Sequence, residues 1–284
     1  MLLLFNLELR KVRTSRRCSL SGALNNLKEN GLNPRTIIDV GAAFGSWSLL
    51  CSKTFQHSQY ILIEGLKEYE IALQKATSNT PNASYKLCCV SDSSSLKTIF
   101  VHSDLVGSSL KKEYEPHNQS SSQKRIVPCK TLNEICLEEH LSPPYLIKMD
   151  IQGAELEALH GASTILKHTE VIILEVSLID CLKETPSFNQ MTEELENLGF
   201  IVHDIFGHNY RPLDGALTQV DIVFIQKTSP LRKSKWYANK IQRNHMNENF
   251  VKKLKKEGVW THSFRLLSPH KITKKQSPLP FNPS

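Results

Sequence analysis

Residues Thr36 to Leu50 read TIIDVGAAFGSWSLL, a β-branched run that ends near an acid and then breaks at two glycines before a stretch of helical character. A strand over 36–40 followed at once by glycines and a helix sets backbone amides and a helix start at the carboxyl edge of a sheet, where open α/β folds bind their ligands. The spacing then narrows the choice of ligand. A dinucleotide fingerprint needs glycine two positions after the first, where this chain has Ala43. A Walker loop needs Gly-Lys-Ser/Thr, whereas Gly45 is followed by Ser46 and Trp47.

Outward from this loop, short β-rich runs alternate with helical stretches from Asn33 to Lys227, the pattern of a doubly wound α/β domain with a largely parallel sheet. Strands are predicted at 36–40, 60–64, 85–90, 145–150, 171–176, 200–205 and 220–226, and helices at 45–54, 68–78, 155–166 and 188–198. Two further runs, 96–101 and 125–130, have no helical period between them and predict a hairpin insertion. The polar connection of that hairpin, containing EYEPHNQSSSQK, is long enough to cover a ligand.

The chain divides into an N-terminal arm and helix (1–32), the α/β domain (33–227) and a basic C-terminal extension (228–284) ending in Pro-rich, disorder-prone SPLPFNPS. With 284 residues and 40% hydrophobic content the chain can bury a sizeable core without staples. Seven cysteines without a Cys-x-x-Cys pair argue against a disulfide framework or a zinc ribbon and fit reduced thiols in the cytoplasm. The opening MLLLFNLELRKVRTSRR has an apolar run too short to span a bilayer, with its basic residues on the wrong side for a secretory signal. Net charge is +7, yet residues 230–284 hold 13 Lys or Arg against two acids, leaving 22 bases against 26 acids elsewhere. The body of the protein is therefore no nucleic-acid footprint, and no nucleic-acid partner is expected there.

Successive strand ends carry the candidate cofactor ligands. A small bend through Gly41, Ala42, Phe44, Gly45 and Ser46 lets a nucleoside with an uncharged linker lie against the main chain, and Asp39 can accept from an ammonium group. Those features suit S-adenosylmethionine. Glu64, ending YILIE, can accept both hydroxyls of a ribose while repelling a ribose phosphate. Ser91 and Asp92, after CCV, are within reach of an adenine amino group on this reading.

The set IIDVGAAFGSWS, YILIEG, CCVSD, KTLNEI, YLIKMDIQGAELEALHGASTIL, VIILEVS and QVDIVFI, in this order and spacing, resembles the FkbM family of S-adenosylmethionine-dependent methyltransferases over about residues 20–227. The block from Lys148 to Glu155, continued by Leu156, Leu159, His160 and Gly161, is its most specific part. The resemblance implies a class I methyltransferase, Rossmann-like, with a seven-stranded, mainly parallel sheet, helices on both faces and one antiparallel strand near its end. It also implies acceptors that are hydroxyls of small molecules, often sugars. Ala43 stands where the family commonly has Asn, and Gln152 where Glu is common.

Methyl transfer from a sulfonium needs an aligned acceptor and, for a neutral hydroxyl, a proton acceptor within hydrogen-bond reach. Asp150, at the end of YLIKM, is the expected base; capping of the following helix, or a bond to the cofactor's amino group, is its structural alternative. Glu175, in ILEV, is the second catalytic candidate and could pair with Asp150 around a hydroxyl or a divalent cation, although no metal is assigned. Glu155 suits the first turn of a helix, Lys148 should reach a carboxylate across the sheet, and His203, His208 and Tyr210 are expected on an acceptor-side loop. The expected function is O-methylation of a small molecule or glycan. Alternatives are methylation of protein or RNA docked on the basic tail, and a binding module without chemistry; a nicotinamide dehydrogenase is disfavoured by Ala43.

Overall fold

The computed structural model describes residues 18–112, 114, 123–232 and 234–258. The N-terminal arm over 1–17, most of the polar hairpin connection and the Pro-rich end lie outside the described residues. The chain forms two compact units, 1–233 and 234–284. The first contains α1 (Leu20–Glu29), β1 (Thr36–Val40), α2 (Ser46–Ser52), β2 (Gln59–Glu64), α3 (Glu70–Ser78), β3 (Ala83–Leu87), β4 (Cys89–Val90), β5 (Ser95–Val101) and β6 (Gln123–Lys130). It continues with α4 (Leu132–Glu138), β7 (Tyr145–Met149), α5 (Glu155–His160), β8 (Thr169–Ser177), α6 (Phe188–Asn197), β9 (Phe200–Tyr210) and β10 (Leu217–Gln226). The second unit carries α7 (Lys240–Lys256), opened by a capping box between Asn239 and Gln242.

Seven strands form one sheet in the order β3-β2-β1-β7-β8-β10-β9. Every pairing from β3 to β8 is parallel, and β10 runs antiparallel to both β8 and β9. This is the expected class I methyltransferase sheet. Strand order reverses next to β1, so the carboxyl ends of β1 and β7 flank the topological switch point, where open α/β sheets bind ligands.

Both faces of the sheet are covered, and the period-two alternation of apolar residues shows how. Ile38, Val40, Ile61, Ile63, Ile147 and Met149 pack on one face with α4, α5 and α6 through Leu132, Leu159 and Met191. Their neighbours Ile37, Tyr60, Leu62 and Leu146 pack on the other with α1, α2 and α3 through Leu24, Cys51 and Leu73. Each fully buried Leu or Ile contributes about 1.5–3 kcal/mol of transfer free energy. A strand apolar on both sides is thus stable only in the middle of a layered domain, which is where β1 lies.

Three boundaries differ from the sequence expectations in ways that matter for the site. The run 85–90 is two strands: β3 pairs with β2, and β4 leaves the main sheet to pair with β6 in the three-stranded sheet β4-β6-β5. Strand β9 continues to Tyr210, so His203, His208 and Tyr210 lie on a strand rather than a loop, paired against β10. The helix expected over 155–166 stops at His160 and resumes as a single 3₁₀ turn at Ile165–His168. No described helix is long and apolar enough to cross a membrane.

Candidate functional site

A cavity of about 370 Å³ opens at the carboxyl ends of β1, β2, β7 and β8, lined there by Val40, Gly41, Glu64, Asp150 and Glu175. Residues 105–110, from the described part of the hairpin connection, form another wall. Two contacts fix that wall: Phe100 and Ser109 bridge, and the Ser109 hydroxyl donates to the Gln152 carbonyl at 2.6 Å.

The glycine loop spends its amides on the end of β2 and on itself. Gly41 and Ala42 N–H both donate to the Ile63 carbonyl, at 2.9 and 3.1 Å, and Gly45 N–H donates to Ala42 at 2.7 Å. Ala43, in the left-handed region at φ 45°, donates its N–H to Glu64 Oε2 at 2.9 Å. No phosphate cradle is built from these four donors, which fits an adenosyl ligand with no pyrophosphate. Asn, common in the family at position 43, adopts left-handed backbone more readily than Ala.

Glu64 is 8% exposed, and its other oxygen accepts from Leu66 N–H at 2.9 Å. Burial raises its pKa, against the lowering by the Leu66, Ala43 and Gly65 amides and by Lys148. Of about four lone-pair sites on the carboxylate these amides leave at least one open, and it can accept from a ligand. Beside it, Phe44 and Tyr69 meet edge to face, 4.9 Å between centroids, and both line the cavity with Leu66. A carboxylate next to an aromatic and aliphatic wall fits a nucleoside, whose ribose donates hydrogen bonds and whose base is a flat apolar slab.

Gly41 must be glycine. Its φ is +74°, and a Cβ there would lie 1.9 Å from the Asp150 carbonyl oxygen. Left-handed backbone costs a non-glycine residue about 1–2 kcal/mol before any clash. Gly41→Ala is expected to destabilise by about 3 kcal/mol or more, read as a lowered urea midpoint. A loss below about 1 kcal/mol would show that the loop yields.

Several predicted ligands do not reach this cavity. Asp39 is fully buried, accepts from the Ser48 hydroxyl at 2.7 Å and lies 3.3 Å from Lys148 Nζ. It is therefore an interior partner of Lys148, not a receiver of a ligand ammonium. Ala42 is buried in the loop's own turn, Gly45 packs towards Ala76 and Leu62, and Ser46 is exposed at the start of α2; none of the three lines the cavity. Ser91 and Asp92 are drawn instead to Lys97, which donates to both at 2.6 and 3.0 Å and also pairs with Glu157. That displacement follows from the early break between β3 and β4: the cavity wall is Cys88, Cys89 and Val90.

The opposite end of the cavity is acidic. Asp150, Glu175 and the amides of Gln152, Asn209 and Gln219 all line it. Gln152 Nε2 donates to Asp150 Oδ1 and to Glu175 Oε2, both at 2.9 Å. Its backbone is left-handed at φ 52°, a turn held by buried Glu155, whose Oε1 accepts from Ile151 N–H at 3.0 Å and Gly153 N–H at 3.2 Å. Burial pushes Glu155 up to about 7, so it shapes the turn from inside and does not meet the ligand.

Lys148 anchors this floor, with Nζ 3.1 Å from the Gly41 carbonyl and 3.8 Å from Asp150 Oδ2. Burial opposes its charge, but Asp39, Asp150 and Asp221 outweigh burial and hold its pKa above the ordinary value. Glu175 is pushed up to about 8 by burial and then by the charges of Asp150 and Asp221. Asp221 rises to about 6 through burial and Asp150, against the pull of Lys148. Space for Asp221 is left by Gly207 on β9, where a Cβ would sit 2.0 Å from Asp221 Oδ2.

Asp221, Asn209 and Gln219 were not expected at the site. One signal for two of them exists: in LTQVDIVFI, Gln219 and Asp221 are two apart, so both belong to one face of a strand. Among the described residues no group of three or more His, Cys, Asp or Glu is arranged to hold a metal ion. An N–H donor, from Gln152, stands between Asp150 and Glu175 where a bridging cation would need an oxygen.

The family model described as Methyltransferase FkbM domain matches residues 39–202. No curated protein matches the chain. Among solved structures, precorrin-6y C5,15-methyltransferase from Geobacter metallireducens GS-15 is 14% identical, over 71% of this chain and 85% of that one, with a TM-score of 0.38. Magnesium protoporphyrin IX methyltransferase from Synechocystis PCC 6803, solved with bound SAM, is 10% identical, over 73% and 77%, with a TM-score of 0.40. Similarity at that level carries no weight for this chain's chemistry, whereas the family match spans more than half the sequence, begins at the end of β1 and includes β2, β7, β8 and the Asp150 turn. The chain belongs to the FkbM methyltransferase family, and is an S-adenosylmethionine-dependent methyltransferase.

Proposed function

We propose that this methyltransferase acts on a hydroxyl of a neutral small molecule or sugar, with Glu64 and Phe44 on the cofactor and Asp150 and Glu175 on the acceptor. The observation that carries this reading is the lining of one cavity by Glu64 and by the amide-bridged Asp150–Glu175 pair. When bound, S-adenosylmethionine supplies the electrophilic methyl group, so the chain has only to bind, orient and handle a proton. Glu64 and the apolar wall beside it orient the adenosine, and Gly41 lets the loop lie flat against the Asp150 turn.

Asp150, partly exposed and tied on one oxygen by Gln152, receives the acceptor's proton as its hydroxyl loses it. Glu175, held towards its protonated form by burial and then by the charges of Asp150 and Asp221, supplies a donor beside Asp150. Lys148 keeps the Asp150 carboxylate turned towards the loop. The hydrogen bonds still open on Asp150, Gln152 and Asn209 are mostly acceptors, which suits a ligand offering hydroxyl donors and disfavours phosphorylated or carboxylated ones.

Two measurements test this. Glu64→Ala is expected to weaken cofactor binding by about 1–3 kcal/mol in calorimetry, since buried hydroxyls lose a charged acceptor; unchanged affinity would remove Glu64 from the ribose. A screen of neutral sugars and polyols with methyl-labelled cofactor is expected to yield base-stable methyl ethers. Label found only in protein, RNA or base-labile esters would replace the hydroxyl reading.

A further inference from the structure

Two irregularities interrupt the β9–β10 ladder on either side of Gln219, one between Leu217 and Gln219 and one between Gln219 and Asp221. Bulges bend a strand and re-aim its side chains, and here the residue between them lines the cavity. Gln219 Nε2 donates to Glu175 Oε2 at 2.8 Å, while its Oε1 accepts from Asn209 Nδ2 at 3.0 Å. Because Asn209 engages the Gln219 oxygen, the amide can face Glu175 only with its nitrogen. Gln152 Nε2 reaches the same Glu175 oxygen at 2.9 Å from the other side. One oxygen of Glu175 therefore receives two N–H donors, and an oxygen so occupied cannot also carry a proton that points to them.

We propose that Gln219, held by Asn209, is a positioning residue: together with Gln152 it claims Glu175 Oε2 and confines the Glu175 proton to Oε1. This rests on the hydroxyl-methylation reading and deepens it, since a proton fixed on Oε1 gives the pair one defined donor instead of two exchanging ones. Asp150 from the turn after β7, Asp221 from β10 and Lys148 from β7 are the other charged groups acting on Glu175 or its neighbours, and none of them offers Oε2 a neutral donor. Gln219 lies beyond the family match, which ends at residue 202.

The test reads Glu175 directly and needs no acceptor. The full chain is labelled with ¹³Cδ-glutamate, the Glu175 resonance is assigned by its loss in Glu175→Gln, and its titration midpoint is followed against pH. Gln219→Met keeps the length of the side chain and removes the donor, and is expected to raise the midpoint by about one pH unit, because a donor to a carboxylate favours its charged form. Asn209→Ala is expected to raise it by less, in the same direction. An unchanged or lowered midpoint in folded Gln219→Met overturns the proposal, and if that variant fails to fold, an unchanged midpoint in Asn209→Ala does so. The outcome is independent of the catalytic assignment, which stands or falls on turnover after substitution of Asp150.

Discussion

Asp150→Asn is expected to leave S-adenosylmethionine affinity within severalfold of the parent and to lower methyl transfer about a hundredfold, the usual scale for a lost general base. Asn has the size of Asp, and its Oδ1 can still accept from Gln152, so the turn between β7 and α5 should survive. What disappears is the carboxylate placed to take the acceptor's proton, since burial and the charges of Asp150 and Asp221 hold Glu175 towards its protonated form. Parallel calorimetry and initial rates from labelled cofactor separate the two effects. A parental rate would return Asp150 to a structural role at the start of the helix. A rate loss matched by an equal loss of affinity would move it to the cofactor.

Lys148→Ala is expected to cost about 3–5 kcal/mol of stability, the usual penalty for stranding one half of a buried ion pair. Asp39 is fully buried, its Oδ1 has Lys148 as its charged neighbour at 3.3 Å, and Ser48 satisfies only the other oxygen. Water cannot replace the ammonium without opening the sheet between β1 and β7, where Asp39 and Lys148 face each other in register. Removing both charges in Asp39→Asn with Lys148→Met should recover most of the loss, since the stranded charge, not the missing attraction, carries the penalty. Urea denaturation of the two single variants and the double variant measures it. Loss below about 1 kcal/mol in Lys148→Ala would show that Asp39 finds another partner.

Those residues also show what the sequence discloses and what it hides. The strand at 36–40 was legible because every residue in it is buried on a two-sided sheet, and the glycines after it because the Asp150 carbonyl at Gly41 and the Ala76 side chain at Gly45 leave no room for a Cβ. Glu64 and Asp150 were legible as strand ends. Asp39 was misassigned because a strand end fixes the position of a carboxylate but not the face it points from, and here it faces Lys148. Ser91 and Asp92 were misplaced because two strands in different sheets follow each other with one residue between them, which periodicity reads as one. The polar stretch HDIFGHNY looked like a loop because β9 is, among the described residues, an edge strand paired with β10 and largely exposed over this stretch, so its outer positions need no apolar side chains. The Asn209–Gln219–Glu175 chain depends on bulges in the β9–β10 ladder and on a partner 44 residues before Gln219 on β8, and no local pattern announces that combination.

The assignment of the cavity is settled by a crystal structure of the protein with S-adenosylhomocysteine. Both ribose hydroxyls should lie within hydrogen-bond distance of the Glu64 carboxylate, with the adenine against Phe44 and Leu66 and the sulfur on the side of Asp150. A nucleoside bound elsewhere, or a ribose directed away from Glu64 within this cavity, would contradict it.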